Sequence, residues 1–408
     1  MTYNNLKKDF IWNTLGVFVQ NAISPLLLII ITRVNGIYDS GLFSFAFSIS
    51  IIFWVVSMWG GRTYQVSDIK RTFTSKEYIS IRFIFGGLVL LASIVFSLVN
   101  QYDFTKIVLI TMLVFFKVIE SIADSMYGVL QVNGILYKAG KSLLLKAIVG
   151  LGLFFILDMY LHNVIISFAG ILVVNIVVVI FYDLSIVKEV EDFSKESIST
   201  YNILQIIKVC FPLVAVSFLT SFSLNIPRYF IDCYYNQDMG YFGIIAMPTT
   251  LMGLVIMFIM QPNIVQLSNL YNQGLYRDFR KIVTKIITVA IIVGLGVLVA
   301  AYVAGPFILN LIFAVDFYKY RIALTILTGG AIIGSLVSIL TNILIILRKF
   351  NGQLYVLFFT NLLLAVFSPF VVGKYATLGA VILFSITNML QLILLTFIYK
   401  LHLGSDIR

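Results

Sequence analysis

Lys117, Glu120 and Asp124 fall at i, i+3 and i+7 of one apolar stretch, so a helix sets them on a single face, with Ser121 and Ser125 extending its polar side. Inside a bilayer each such ionisable group costs at least about 2.5–3.5 kcal/mol, which turns the face towards a bundle interior or a water-filled cavity. Two readings follow. In one, Lys117 and Glu120 neutralise each other and the face only packs. In the other, Lys117 meets a substrate anion while Glu120 or Asp124 takes up a proton or cation. Two acids against one base leave a surplus carboxylate able to titrate during transport.

Arg33 and Arg228 stand at the ends of two further apolar stretches. Pro227 removes a helical donor just before Arg228, and Asp232 follows it at i+4. A guanidinium fork suits phosphate or carboxylate, and the plainer alternative is that either arginine reaches out to lipid headgroups. Cys210 and Cys233 are separated by about 34 Å along a helix, beyond disulfide reach, and are expected as free thiols. His162 and His402 are isolated, and no Cys, His or carboxylate grouping has metal-ligand spacing, so neither a metal nor a cofactor is expected. A cavity-lining acid is compatible with proton coupling, sodium coupling or none.

The elements that carry these residues are set by composition. Of 408 residues, 60% are hydrophobic and 11% charged, where soluble domains have roughly 45–50% and about 25%. Apolar runs long enough to cross a hydrocarbon core recur from end to end, continuous rather than alternating, so each is a helix and not a barrel strand. The pattern predicts an all-α polytopic membrane protein of about twelve transmembrane helices, with spans near 10–32, 41–61, 79–100, 105–127, 142–158, 162–182, 203–229, 239–262, 283–304, 321–346, 353–372 and 376–399. With both termini inside, roughly three in four of the 28 Lys and Arg residues fall on inner segments, among them Arg62, Lys70, Arg82, Lys146, Lys195, Arg348, Lys349 and Arg408. The net charge of +10 is therefore a topology signal, and it is not gathered on a soluble face as a nucleic-acid partner would need.

Two motifs recur in helix order. Asp39-x-Gly41-x-Phe43 returns as Asp238-x-Gly240-x-Phe242, and Asn133-Gly134-x-Leu136-Tyr137 returns as Asn351-Gly352-x-Leu354-Tyr355. Such recurrence at about half the chain length indicates duplication, and an even number of spans gives both halves the same orientation, related by a pseudo-two-fold along the membrane normal. The expected organisation is a six-helix lobe over residues 1–185, a solvated cytoplasmic linker over 186–202 and a second six-helix lobe over 203–408. Substrate in such folds usually lies near the midplane between the lobes.

The segment Asn225-Ile226-Pro227-Arg228-Tyr229-Phe230-Ile231-Asp232, followed by Gly240-Tyr241-Phe242-Gly243-Ile244-Ile245-Ala246, resembles the seventh-to-eighth helix region of Wzx-type flippases for bacterial polysaccharide repeat units, O-antigen and capsule alike. These belong to the multidrug/oligosaccharidyl-lipid/polysaccharide (MOP) superfamily. The resemblance extends over the whole chain in length and span number, and to the stretch from Gly305-Pro306 to Tyr318-Lys319-Tyr320.

What the resemblance implies is movement of an undecaprenyl-diphosphate-linked oligosaccharide from the inner to the outer leaflet of the bacterial cytoplasmic membrane, by a monomer that works beside a polysaccharide polymerase and glycosyltransferases. It also implies a cationic cavity, to which Arg228 is carried over by motif. Lys117 and Arg33 join it by burial and position as substrate-binding residues, with Glu120, Asp124 and Asp232 as coupling or cavity-lining acids. A multidrug cation exporter of the same superfamily would share the fold, with Glu120 and Asp124 as its coupled acids. A polytopic enzyme such as a polymerase would be expected to carry a long outer loop, and no long loop interrupts the apolar runs.

Overall fold

The computed structural model describes residues 3–68, 71–193, 196–347 and 350–405. Lys70, Lys195, Arg348, Lys349 and Arg408 of the charge count lie outside them. Every regular element among the described residues is a helix. The chain divides into two compact units, Met1–Val214 and Ala215–Arg408.

The first unit contains α1 (Tyr3–Val34), α2 (Ile37–Ser57), the short α3 (Arg62–Ser67), α4 (Ser75–Val99), α5 (Phe104–Val132), α6 (Leu136–Leu161), α7 (Val164–Val178) with a π-turn at Val179–Asp183, and α8 (Leu184–Val190). It also takes the first turns of α9 (Thr200–Tyr234). α5 sits centrally, packed against α2, α3, α4, α6 and α7. Its start is fixed by Asp103, whose side chain accepts from the Lys106 N–H at 3.2 Å, and its end by Asn133 with Gly134 at φ 71°, a left-handed position that glycine adopts without strain. α1 and α6 meet backbone to backbone, because a β-carbon at Gly140 would collide with Trp12 and one at Gly16 with Gly140. Such small-residue contacts substitute for the hydrophobic drive that lipid does not provide.

The second unit contains the remainder of α9, then α10 (Met239–Ile245), α11 (Met247–Asn272), α12 (Tyr276–Val303), α13 (Gly305–Phe313), α14 (Arg321–Ile346) and α15 (Phe350–Ser405). α14 holds the place here that α5 holds in the first unit. Each is the fourth span of its unit, and each packs against the second and third. Asp39 and Asp238 likewise open matching helices, with Phe43 and Phe242 both fully buried. The second recurring motif is not matched in structure. Asn133-Gly134 is a turn, whereas Asn351-Gly352 lies in the first turn of α15.

Among the described residues, ten helical stretches are long and apolar enough to cross a membrane. α5 is left out of that count by its own charges, Lys117, Glu120 and Asp124, and the last stretch, Asn351–Leu401, is broken at Ala376 (φ 48°, ψ −130°) into two. With α5 added and the long stretch divided, the chain has the expected twelve spans. Most helices outrun the apolar runs that announced them, by polar turns at one or both ends.

The segment after the sixth span does not run free in solvent as expected. Glu191 is buried and lies 3.4 Å from Arg71. Glu196 Oε2 accepts from the Lys76 N–H at 2.8 Å, and buried Glu77 accepts from the Ser199 N–H at 3.0 Å and Asn202 Nδ2 at 2.9 Å. These contacts pin the segment to the start of α4, beside a cavity of about 110 Å³ lined by Asp68, Arg71, Tyr78, Glu191 and Glu196.

Candidate functional site

The polar face of α5 is populated from both sides. Lys117 Nζ donates to Glu120 Oε2 at 2.6 Å and lies 5.1 and 5.4 Å from the ring centres of Phe47 and Trp54 on α2. Gln20 of α1 donates to the other oxygen of Glu120. One turn further along α5, Asp124 divides its two oxygens between two arginines. Arg62 Nη1 is 3.6 Å from Oδ1, and Arg82 Nη2 is 3.4 Å from Oδ2. Ser57 and Ser121 share a 2.5 Å hydrogen bond beside them, and Ser57 O lies 3.4 Å from Arg82 Nη1.

Arg82 changes the reckoning. Expected on an inner segment, it is a fully buried residue of α4, and its Nε–H has no acceptor among the described residues. Arg62, expected on the same segment, opens α3 and faces α5 because Gly60 (φ 77°) turns the chain at the end of α2. The carboxylate read as surplus is thus met by two cations from other helices. A readable signal for Arg82 existed: Thr74 and Glu77 form a capping box, which starts α4 at Ser75 and puts Arg82 two turns inside.

A second buried cluster continues the same face. Lys146 of α6 donates to Asp183 Oδ2 at 2.6 Å and to the Tyr127 hydroxyl at 2.8 Å, and Ser142 lies 3.0 Å from that hydroxyl. Asp183 is the last residue of the π-turn, an irregularity common at special sites. Lys146 and Asp183 were expected on inner segments, yet both are buried. α6 starts at Leu136, just past the Gly134 turn, which carries Lys146 about 15 Å into the helix.

Arg228 and Asp232 belong to the second unit. The Arg228 guanidinium lies 5.7 Å from the ring centre of Phe242, the buried aromatic of the recurring motif. Near it on α9, Ser223 and α15 residues Asn361, Thr360 and Gln391 form an uncharged network, with Gln391 Nε2 donating to Ser223 at 3.1 Å and Thr360 at 3.0 Å. Arg33 is exposed in the last turn of α1 and does not join the α5 cluster. The structure therefore brings Lys117, Glu120 and Asp124 together and sets Arg33 apart from them.

Outside the spans, two acids that line the cavity beside α4 shift in opposite senses. Burial raises Glu196, with neighbouring Glu191 adding to the rise against the Lys76 N–H and Arg71. Burial also acts to raise Asp68, but the Thr72 and Phe73 N–H groups, each donating at 3.0 Å, outweigh it and leave Asp68 below the ordinary carboxylate range.

No family model matches the chain. Over 394 residues it is 25% identical to the capsular polysaccharide biosynthesis protein CapF of Staphylococcus aureus, covering 94% of this chain and 98% of that protein. Among solved structures it is similar to the lipid II flippase MurJ in an inward closed conformation, with a TM-score of 0.71 at 14% identity, covering 96% of this chain and 87% of MurJ. It is also similar to a multidrug resistance MATE family transporter of the MOP superfamily in an inward-facing conformation, with a TM-score of 0.69 at 12% identity, covering 97% and 98%. The chain has the fold of these MurJ and MATE structures. The resemblance read from Asn225 to Asp232 is borne out on both counts, in a polysaccharide-biosynthesis relative and in the fold. It is a multi-pass membrane protein with the architecture of transporters and flippases.

Proposed function

We propose that the chain flips an undecaprenyl-diphosphate-linked oligosaccharide from the inner to the outer leaflet of the bacterial cytoplasmic membrane by alternating access, for capsule, O-antigen or a related surface polysaccharide. The observation that carries this reading is the pair of arginines, Arg62 and Arg82, converging with Lys117 on the polar face of α5. Three cations against two carboxylates leave a net positive face within a membrane unit, which suits a diphosphate headgroup. The CapF relative and the MurJ-like fold support the same substrate class. Arg228, beside Phe242 in the second unit, is the cation carried over by motif.

The multidrug cation exporter is less well supported, because Glu120 and Asp124 are engaged by Lys117, Gln20, Arg62 and Arg82 rather than open to a cationic drug. On this reading both termini are cytoplasmic, from the Lys and Arg distribution. Deletion in the native strain tests the function. Lipid-linked repeat units should accumulate on the inner leaflet while surface polysaccharide is lost, and the chain supplied in trans should reverse both. Unchanged surface polysaccharide together with lost efflux of lipophilic cations would establish the exporter instead.

A further inference from the structure

The two ion-pair clusters on α5 differ in a way that bears on substrate binding. Lys146 and Asp183 are 4% and 0% exposed and 2.6 Å apart, a sealed pair. Arg62 and Asp124 are 27% and 21% exposed, and the carboxylate meets its arginines only at 3.6 and 3.4 Å, longer than the roughly 2.7–2.9 Å of a tight charge-assisted bond. Arg82 behind them keeps a buried Nε–H with no acceptor among the described residues. Asp124 offers one oxygen to each arginine, as two oxygens of a phosphate would. The carboxylate has the place and the charge of a ligand.

Resting on the flippase reading, we propose that Asp124 is an internal stand-in for the substrate's diphosphate, displaced from Arg62 and Arg82 when the diphosphate binds and taking up one proton as it leaves them. The charge balance sets the proton. Two guanidinium groups match the two negative charges of a diphosphate diester, so an ionised Asp124 beside them would add one unneutralised charge in a poorly hydrated site. One proton from water adds to an Asp124 oxygen as the diphosphate enters, and it returns to water when the arginines reclaim the carboxylate.

No group nearby substitutes for that proton. Arg62 faces Asp124 from α3 and Arg82 from α4, with Cys210 of α9 beside Arg82. α2 contributes Ser57. Along α5, Glu120 is held by Lys117 and Gln20, and Tyr127 by Lys146 of α6, with Asp183 of the π-turn closing that cluster. Displacement also explains why a net positive face carries Asp124 at all. It holds the arginines in place between substrates.

The test is calorimetric binding of P1-farnesyl-P2-methyl diphosphate, a diester with two fixed charges, to the full chain in phosphatidylcholine nanodiscs, run in two buffers of different ionisation enthalpy. The expected result is about one proton taken up per ligand by the unmodified protein, and none by Asp124→Asn, which should bind at least about tenfold more tightly because its competitor has lost its charge. Binding without proton uptake in the unmodified protein overturns the proposal while leaving the flippase reading intact. Absence of any diphosphate binding overturns both. Abolition of the signal when phosphatidylglycerol is added to the disc assigns the seat to a lipid headgroup and overturns the proposal. The measurement on the unmodified protein decides the matter even if Asp124→Asn fails to fold.

Discussion

Arg82 Nη2 lies 3.4 Å from Asp124 Oδ2, the arginine wholly buried in α4 and the aspartate partly open on α5. The pair ties the third span to the fourth and carries the positive end of the proposed substrate seat. Structure and function are separable at it.

Arg82→Ala should abolish surface polysaccharide output and also lower the amount of folded protein, since Asp124 is then left with Arg62 alone. The double variant Arg82→Met with Asp124→Leu removes both charges and should restore folded protein without restoring output. Quantitative immunoblotting beside polysaccharide staining reads the two effects apart. Recovery of output in the double variant would show that the pair only packs.

Lys146 and Asp183 should behave differently, because their contact is sealed. Lys146→Met or Asp183→Leu alone leaves an uncompensated charge and should cost about 3–5 kcal/mol, seen as a large fall in the thermal midpoint of the detergent-solubilised protein. The two changes together should recover most of it. Output per folded molecule should track the unmodified protein, since no substrate contact is lost.

Arg228→Ala should remove output at normal abundance, and Arg228→Lys should restore only part of it, because an ammonium lacks the planar fork. Arg33→Ala, at an exposed site in the last turn of α1, should have little effect on either. Equal losses at both positions would mean that end-of-span cations act through headgroups rather than substrate.

The pinned segment should loosen as pH rises. Glu196 sits above its ordinary value of 4.5, so its contribution to docking is full below that value and is lost as pH rises through the raised one. Limited proteolysis between 191 and 200 should therefore increase on going from pH 4.5 towards neutrality. Glu196→Gln should flatten that rise.

Helix number, the all-α class and the α5 face were legible because lipid imposes long apolar runs and makes an internal charge conspicuous. Arg62, Arg82 and Lys146 were not, and for one reason. Each lies near the end of an apolar run, where hydropathy cannot tell a loop residue from one inside a helix that continues past the run. Caps at Thr74 and Gly134 mark where α4 and α6 start, and so how deep Arg82 and Lys146 lie. The partner of each charge was less accessible still. That Asp124 meets α3 and α4 while Lys146 meets the π-turn depends on packing between segments far apart in sequence.

The charged face of α5 has a consequence for how the chain enters the membrane. With Lys117, Glu120 and Asp124 aboard, α5 is a poor substrate for the insertion machinery if it arrives alone. Arg62 and Arg82, which neutralise Asp124, and Gln20, which donates to Glu120, all precede it in the chain and have left the ribosome first. Lys146 and Asp183 follow, and complete each other only after α5 has been synthesised. Order of synthesis and order of neutralisation coincide, which makes the early helices the receptor for the fourth span during biogenesis.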